Sequence, residues 1–182
     1  MGVQTRRRRG TRTARRRNRT MKIRHHHLLV RMESMDCPLE RDKARVARMV
    51  DEMLKDISMK PLGATRVFYL NTPVYNQGLT AITPIQTSHL AFHFWNSPDK
   101  EIMNSKQNKC LLQFDLYTCG TLTLRQVCKL LAHLTIYNPR HVDVTILDRN
   151  KSLKTVKHAL YDADKSRLSW TGWLKHFEEC RR

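Results

Sequence analysis

Between residues 65 and 117 the chain passes through four strand-like stretches in close succession, and this restricts the fold more than any other feature. Residues 65–70 (Thr-Arg-Val-Phe-Tyr-Leu) are β-branched and aromatic, and residues 79–85 and 89–95 mix apolar with polar positions. Residues 110–117 form a further apolar run. The first three are joined by links of hairpin length, including a turn over 73–78, so neighbouring strands must run antiparallel. Pro84 marks an edge position or a local bend. The polar run 96–109, with Pro98, Asp99, Asn104, Ser105 and Asn108, reads as a loop exposed to solvent.

Two amphipathic stretches interrupt the strands. From 39 to 57, Val46, Val50, Met53, Leu54 and Ile57 recur at helical spacing, while Arg41, Lys43, Arg45 and Arg48 lie mostly off that stripe. Asp36 is the expected cap and Pro38 the first turn, with Pro61 and Gly63 ending the helix. A second helix is expected over 123–133, with Leu124, Val127, Leu130, Leu131 and Leu134 on one side and Asn138-Pro139 as its breaker. Strands over 25–32 and 141–147 complete the order β-α-β-β-β-β-α-β. That order predicts an α+β two-layer sandwich, a mostly antiparallel sheet with helices packed on one face. Residues 21–149 would form this domain, and 150–182 a helical extension. Its Trp170, Trp173, Leu174 and Phe177 stripe should pack on the body or on a partner chain.

Charge is unevenly placed. The first twenty residues hold nine of the 34 basic residues and no acid, so half of the +18 net charge sits in a tail without apolar periodicity. Such a block is expected to be disordered and to attract polyanions, nucleic acid included. It also reads as an upstream extension, because Met21 directly precedes the first patterned segment. No apolar run approaches the roughly 20 residues that span a bilayer, and no apolar signal core is present, so a cytoplasmic protein without membrane contact is expected. The five cysteines are odd in number and include no Cys-x-x-Cys pair, which argues against a disulfide framework or a zinc ribbon and for a reducing compartment. His25, His26 and His27 alternate faces of a strand, so at most two could share a metal, and no metal site is expected.

Candidate chemistry gathers in two places. Gly-rich phosphate loops, Gly-x-Ser-x-Gly elbows and His-Glu-x-x-His helices are absent from the sequence. What stands out is Thr87-Ser88-His89-Leu90, with His93 and Trp95 following, and then Asp115-Leu116-Tyr117-Thr118-Cys119-Gly120. A hydroxyl, an imidazole and a thiol near strand ends are expected to form one reactive cluster.

In these residues the chain resembles the prokaryotic S-adenosylmethionine decarboxylase proenzymes. Their pattern is Glu-Ser-His-x-x-x-His-Thr-Trp-Pro-Glu, then Asp-x-Phe-Thr-Cys-Gly, and the five-residue step from serine to histidine is kept here. Gly78-Leu79-Thr80-Ala81 is similar to the family's Gly-Val-Ser/Thr turn, and His27-Leu28-Leu29 to its opening strand. The resemblance covers roughly residues 25–147. It implies self-cleavage between Thr87 and Ser88, with Ser88 converted to a covalent pyruvoyl group. That group would form a Schiff base with the substrate amine and accept the electrons released with carbon dioxide. It further implies His93 as a proton donor in processing, Thr80 as a helping hydroxyl, and Cys119 as the proton donor of turnover. S-adenosylmethionine would be the substrate, the product would serve polyamine synthesis, and the working unit would be a homodimer.

Some positions depart from the pattern. Thr87 replaces the glutamate before the cleavage serine, and Phe94-Trp95-Asn96-Ser97 stands where the family has Thr-Trp-Pro-Glu. That glutamate is expected to hold the substrate's ribose hydroxyls, a role Ser97 cannot fill with charge. Val74, with Tyr75 beside it, falls where an adenine-stacking aromatic is expected, and Trp95 is retained. These changes keep two alternatives open. One is a decarboxylase of the same fold acting on arginine or ornithine, and the other is a non-catalytic homologue that binds nucleic acid through its basic tail.

Overall fold

The computed structural model describes residues 24–71 and 77–179, so the Arg-rich segment 1–20, most of the 73–78 turn, Val74, Tyr75 and Cys180 lie outside the described residues. The elements run β1 (His26–Ser34), α1 (Lys43–Asp56), β2 (Arg66–Leu70), β3 (Gly78–Ile85), β4 (Ser88–Trp95), β5 (Cys110–Thr118), α2 (Leu124–His133), β6 (Pro139–Asp148), β7 (Lys154–Asp162) and α3 (Trp170–Glu179). Seven strands form one sheet in the order β2-β3-β4-β5-β1-β6-β7, each antiparallel to its neighbours. β1 is an interior strand, paired with β5 on one side and β6 on the other, with its alternate residues Leu28, Val30 and Met32 buried.

The period of two divides the sheet into unlike faces. Ala81, Phe92, Phe114, Val30 and Val144 lie in register across β3, β4, β5, β1 and β6 and are buried in a single core with the stripes of the helices. α1 contributes Val46, Met49, Val50, Met53 and Leu54, and α2 contributes Val127, Cys128, Leu130 and Leu131. Burying each such side chain stabilises the fold by about 1.5–3 kcal/mol before conformational entropy is subtracted. Among the described residues the opposite face carries no helix. Phe68, Ile82, Leu160 and Leu29 remain exposed there, Phe68 at 61%.

The α+β sandwich with helices on one face is the architecture read from the sequence, but several details differ. The extension after 150 begins with a strand. β7 pairs with β6, and only then does α3 bury Trp170, Trp173, Leu174 and Phe177 against the body, with the Tyr161 ring 5.2 Å from Trp170. Asp36 does not cap α1, because the backbone N–H groups of Met35 and Asp36 are drawn into bonds with the carbonyls of Asn138 and Tyr137. The helical path starts instead with a 3-10 turn over Glu40–Asp42, where Asp42 accepts the Leu39 N–H at 2.8 Å. α1 stops before Pro61, at Ser58, whose φ of 58° is the left-handed conformation that closes helices.

The cysteines also depart from expectation. Cys37 and Cys110 form a disulfide, with their Cα atoms 5.7 Å apart, although 73 residues separate them in sequence. The pairing follows from register: Ser34 lies opposite Cys110 across β1 and β5, which returns Cys110 to the chain just beyond β1. Cys119 and Cys128 are free.

Gly78 shows how closely β3 and β4 approach at the sheet's edge. A Cβ there would fall 1.7 Å from the Phe94 carbonyl oxygen, a backbone atom that cannot swing aside. Gly78→Ala should therefore lower stability by about 1–3 kcal/mol, read as a lower denaturant midpoint with an unchanged slope.

Candidate active site

β3 and β4 are joined by Gln86 and Thr87 alone, since Ile85 already pairs with Ser88. Two-residue hairpin loops usually place positive φ on a glycine or asparagine within the loop. Neither is present, and the strain moves to the next residue. Among the described non-glycine residues only Ser58, Ser88 and Asn138 have positive φ, and Ser88 stands at 140°, outside the left-handed helical well. Such a conformation costs about 1–3 kcal/mol and persists only where neighbours impose it.

The neighbours are supplied by the end of β5. Ser88 pairs with Thr118, and one step further the Cys119 N–H donates to the Thr87 carbonyl oxygen at 2.9 Å. The Gly120 N–H donates to Thr118 Oγ1 at 3.0 Å, folding the Thr-Cys-Gly turn over the hairpin tip. A Cβ at Gly120 would come within 3.5 Å of the Thr87 methyl, so the turn is tight on the side of the strained bond. The free thiol of Cys119 is partly exposed at the same place. The carbonyl of Thr87 is thus polarised by a fixed donor, and the hydroxyl that follows it sits on a strained backbone.

His93 does not join this group. Five residues of strand separate it from Ser88, about 17 Å at the usual rise per residue. It lies on the helix-free face, where its Nδ1 hydrogen-bonds the hydroxyl of Thr80 from the paired position of β3. Its ring stands 4.1 Å from Trp95. Burial holds the His93 imidazole below its ordinary pKa, so it is neutral near pH 7, and its Nε2 is buried without a hydrogen-bond partner. Thr80, His93 and Trp95 line a cavity of 510 Å³ that also admits Arg31, Asp115 and Asp143. The single cluster expected from the sequence is therefore two: Thr87, Ser88 and Cys119 at one end of β4, and Thr80, His93 and Trp95 toward the other.

Ser97 is exposed just beyond β4. Asn96 beside it turns inward, its amide donating to the Pro38 carbonyl at 3.1 Å and the Tyr69 hydroxyl at 3.0 Å, so this corner is braced by amide bonds. The 96–109 segment is not the free loop expected. A fully buried carboxylate, Glu33 of β1, accepts from the backbone N–H and side-chain amide of Asn104 and from the amide of Asn108, each at 2.7 Å. Sequence reasoning missed Glu33; the available signal was a lone acid within an apolar strand facing an asparagine-rich loop. It also missed Asp115 and His89 as partners on the helix-free face, where Asp115 lies 3.2 Å from His89 and 3.7 Å from His27. Among the described residues no group of three or more His, Cys, Asp or Glu is placed to hold a metal ion, and no helix is long and apolar enough to cross a membrane.

The seven-stranded antiparallel sheet with its helices on one face defines an α+β sandwich domain with a strained turn at a strand end. The model of the S-adenosylmethionine decarboxylase family matches residues 26–150, well over half of the chain, and the chain belongs to that family. Its general activity is accordingly the decarboxylation of S-adenosylmethionine. Comparison with curated proteins gave no match.

Proposed function

We propose that this chain is a proenzyme that cuts itself between Thr87 and Ser88, carries the resulting pyruvoyl group at residue 88, and supplies decarboxylated S-adenosylmethionine as aminopropyl donor for polyamine synthesis. One observation carries the reading: Ser88 is strained at φ 140° while the Cys119 N–H holds the preceding carbonyl oxygen. Attack by Ser88 Oγ on the Thr87 carbonyl carbon forms a C–O bond, and the C–N bond breaks as the nitrogen takes the hydroxyl proton. Loss of the Cα proton of residue 88 then expels the Thr87 carboxylate and leaves dehydroalanine. Tautomerisation and hydrolysis release ammonia and complete the group. The residues present fit it, because the hydroxyl, the polarised carbonyl and a free thiol lie together at one hairpin tip.

When formed, the pyruvoyl carbonyl supplies an electron sink for the carbon–carbon bond broken in decarboxylation. The chain's own part in turnover is to return a proton to the carbon that loses carbon dioxide. Cys119 is the donor this reading assigns, since its backbone is bonded to Thr87 and its thiol is free. Cys119→Ala should leave self-cleavage intact by mass and lower carbon dioxide release by about 10²-fold or more.

The reading includes a homodimer. His93 on β4 and Thr80, opposite it on β3, lie too far along the strands to serve the Ser88 of their own chain, whereas the helix-free face that holds them exposes Leu29, Phe68, Ile82 and Leu160. A second copy laid on this face is the occupant we propose, bringing the histidine to processing from the partner.

Substrate choice is the finer point, since Ser97 offers no charge for the ribose. Carbon dioxide release from S-adenosylmethionine, arginine and ornithine, compared as kcat/KM, tests it. S-adenosylmethionine should lead, and a higher value for either amino acid overturns this part of the reading.

A further inference from the structure

Ser88 has an imidazole of its own. Its Oγ lies 3.1 Å from Nδ1 of His89, the next residue of β4, and Nε2 of the same ring lies 3.2 Å from Asp115 Oδ1 on β5. His89 pairs with Tyr117 across β4 and β5, so Asp115 is its diagonal neighbour on the helix-free face. Thr87, Ser88 and His89 at the hairpin tip are therefore followed by Asp115, which reaches His89 from opposite Ala91 on β5. We propose that His89 is the general base that takes the Ser88 hydroxyl proton in self-cleavage, and that Asp115 is its positioning residue. The inference rests on the self-cleavage reading and adds to it the group that drives the first step.

The proposal assigns the ring proton of His89 to Nε2, the nitrogen 3.2 Å from Asp115 Oδ1, because a carboxylate only accepts hydrogen bonds. Nδ1 is then left with its lone pair directed at the Ser88 hydroxyl, the arrangement a base requires. As Oγ bonds to the Thr87 carbonyl carbon, its proton passes to Nδ1 and the imidazolium is stabilised by Asp115. The carbonyl oxygen gains negative charge against the Cys119 N–H, 2.9 Å away, a donor already in place before the reaction. The C–N bond then breaks, and the imidazolium gives the same proton to the departing nitrogen of residue 88. No bond is left open and no co-reactant is needed, because one proton moves from oxygen to nitrogen and an amide becomes an ester.

Two further features support the assignment. Asp115 Oδ1 is buried without a hydrogen bond and lies 3.2 Å from Nε2 of His89, nearer than the 3.7 Å to Nε2 of His27. His93 is bonded to Thr80 and remote along the strand, which leaves His89 as the imidazole at Ser88 within one chain.

The test follows cleavage, not turnover, by intact mass of full-length chain over time after synthesis. With wild type cleaving, His89→Ala should slow conversion by about 10²-fold or more, and added imidazole should restore part of the rate. Asp115→Asn, which keeps the volume but presents the wrong donor, should slow it by at least about tenfold, with partial recovery in Asp115→Glu. Cleavage of His89→Ala at the wild-type rate overturns the proposal and leaves self-cleavage standing. A wild-type chain that never cleaves overturns the underlying reading instead. If His89→Ala fails to fold, as judged by loss of cooperative unfolding, Asp115→Asn decides alone, and its processing at the wild-type rate overturns the relay.

Discussion

Ser88→Ala should persist as an uncut chain and release no carbon dioxide above background from S-adenosylmethionine. The hydroxyl is both the nucleophile that opens the chain and the source of the cofactor, so no second residue can stand in for it. Alanine retains the side-chain Cβ and with it the strain of φ 140°, so the fold should be little changed. Ser88→Gly provides the physical control. It too should remain uncut, yet be more stable than Ser88→Ala by about 1 kcal/mol or more, because glycine adopts positive φ without penalty. Equal stability of the two variants would contradict the claim that the scissile bond is held under backbone strain.

Glu33→Ala should produce the largest loss of stability, about 3–5 kcal/mol, because five donors lose a buried acceptor at once. Burial alone would push the Glu33 carboxyl up, but the Asn104 N–H, the Asn108 and Asn104 amides and the Arg31 guanidinium outweigh it and hold the pKa at about 2, against an ordinary 4.5. The folded-state value is the lower one, so the carboxylate stabilises the fold fully above pH 4.5 and progressively less as pH falls toward 2. A shift of this size corresponds to about 3 kcal/mol. Denaturant unfolding should therefore show a gap between wild type and Glu33→Gln that is wide at pH 7 and narrows through that window. A gap independent of pH would show that the ionised form is not what the loop recognises. In Glu33→Ala, limited proteolysis should cut first within 99–109.

Much of this architecture was legible because the apolar periods are long. β1, β4, β5 and β6 each bury alternate residues, and α1 and α2 each bury one stripe, so their types followed from spacing. β7 escaped because it is an edge strand, with only its last core-facing residue, Tyr161, buried and lysines at 154 and 157. The Cys37–Cys110 bridge escaped for a different reason. It depends on the register of β1 against β5, and cysteine parity carries no information about register. The same holds at the site. Ser88 and Cys119 could be singled out as motif residues, and the strained turn follows from a two-residue link without glycine. That His93 stands apart, and that Asp115 reaches His89, are consequences of strand length and diagonal pairing.

Self-cleavage is tested most directly by the intact mass of the wild-type chain under denaturing conditions, after expression and without added protease. Two fragments are expected, residues 1–87 and residues 88–182, the second opening in a pyruvoyl group and resisting N-terminal sequencing. A single species with the full 182-residue mass would contradict self-cleavage, and with it the pyruvoyl group and the role given to Ser88.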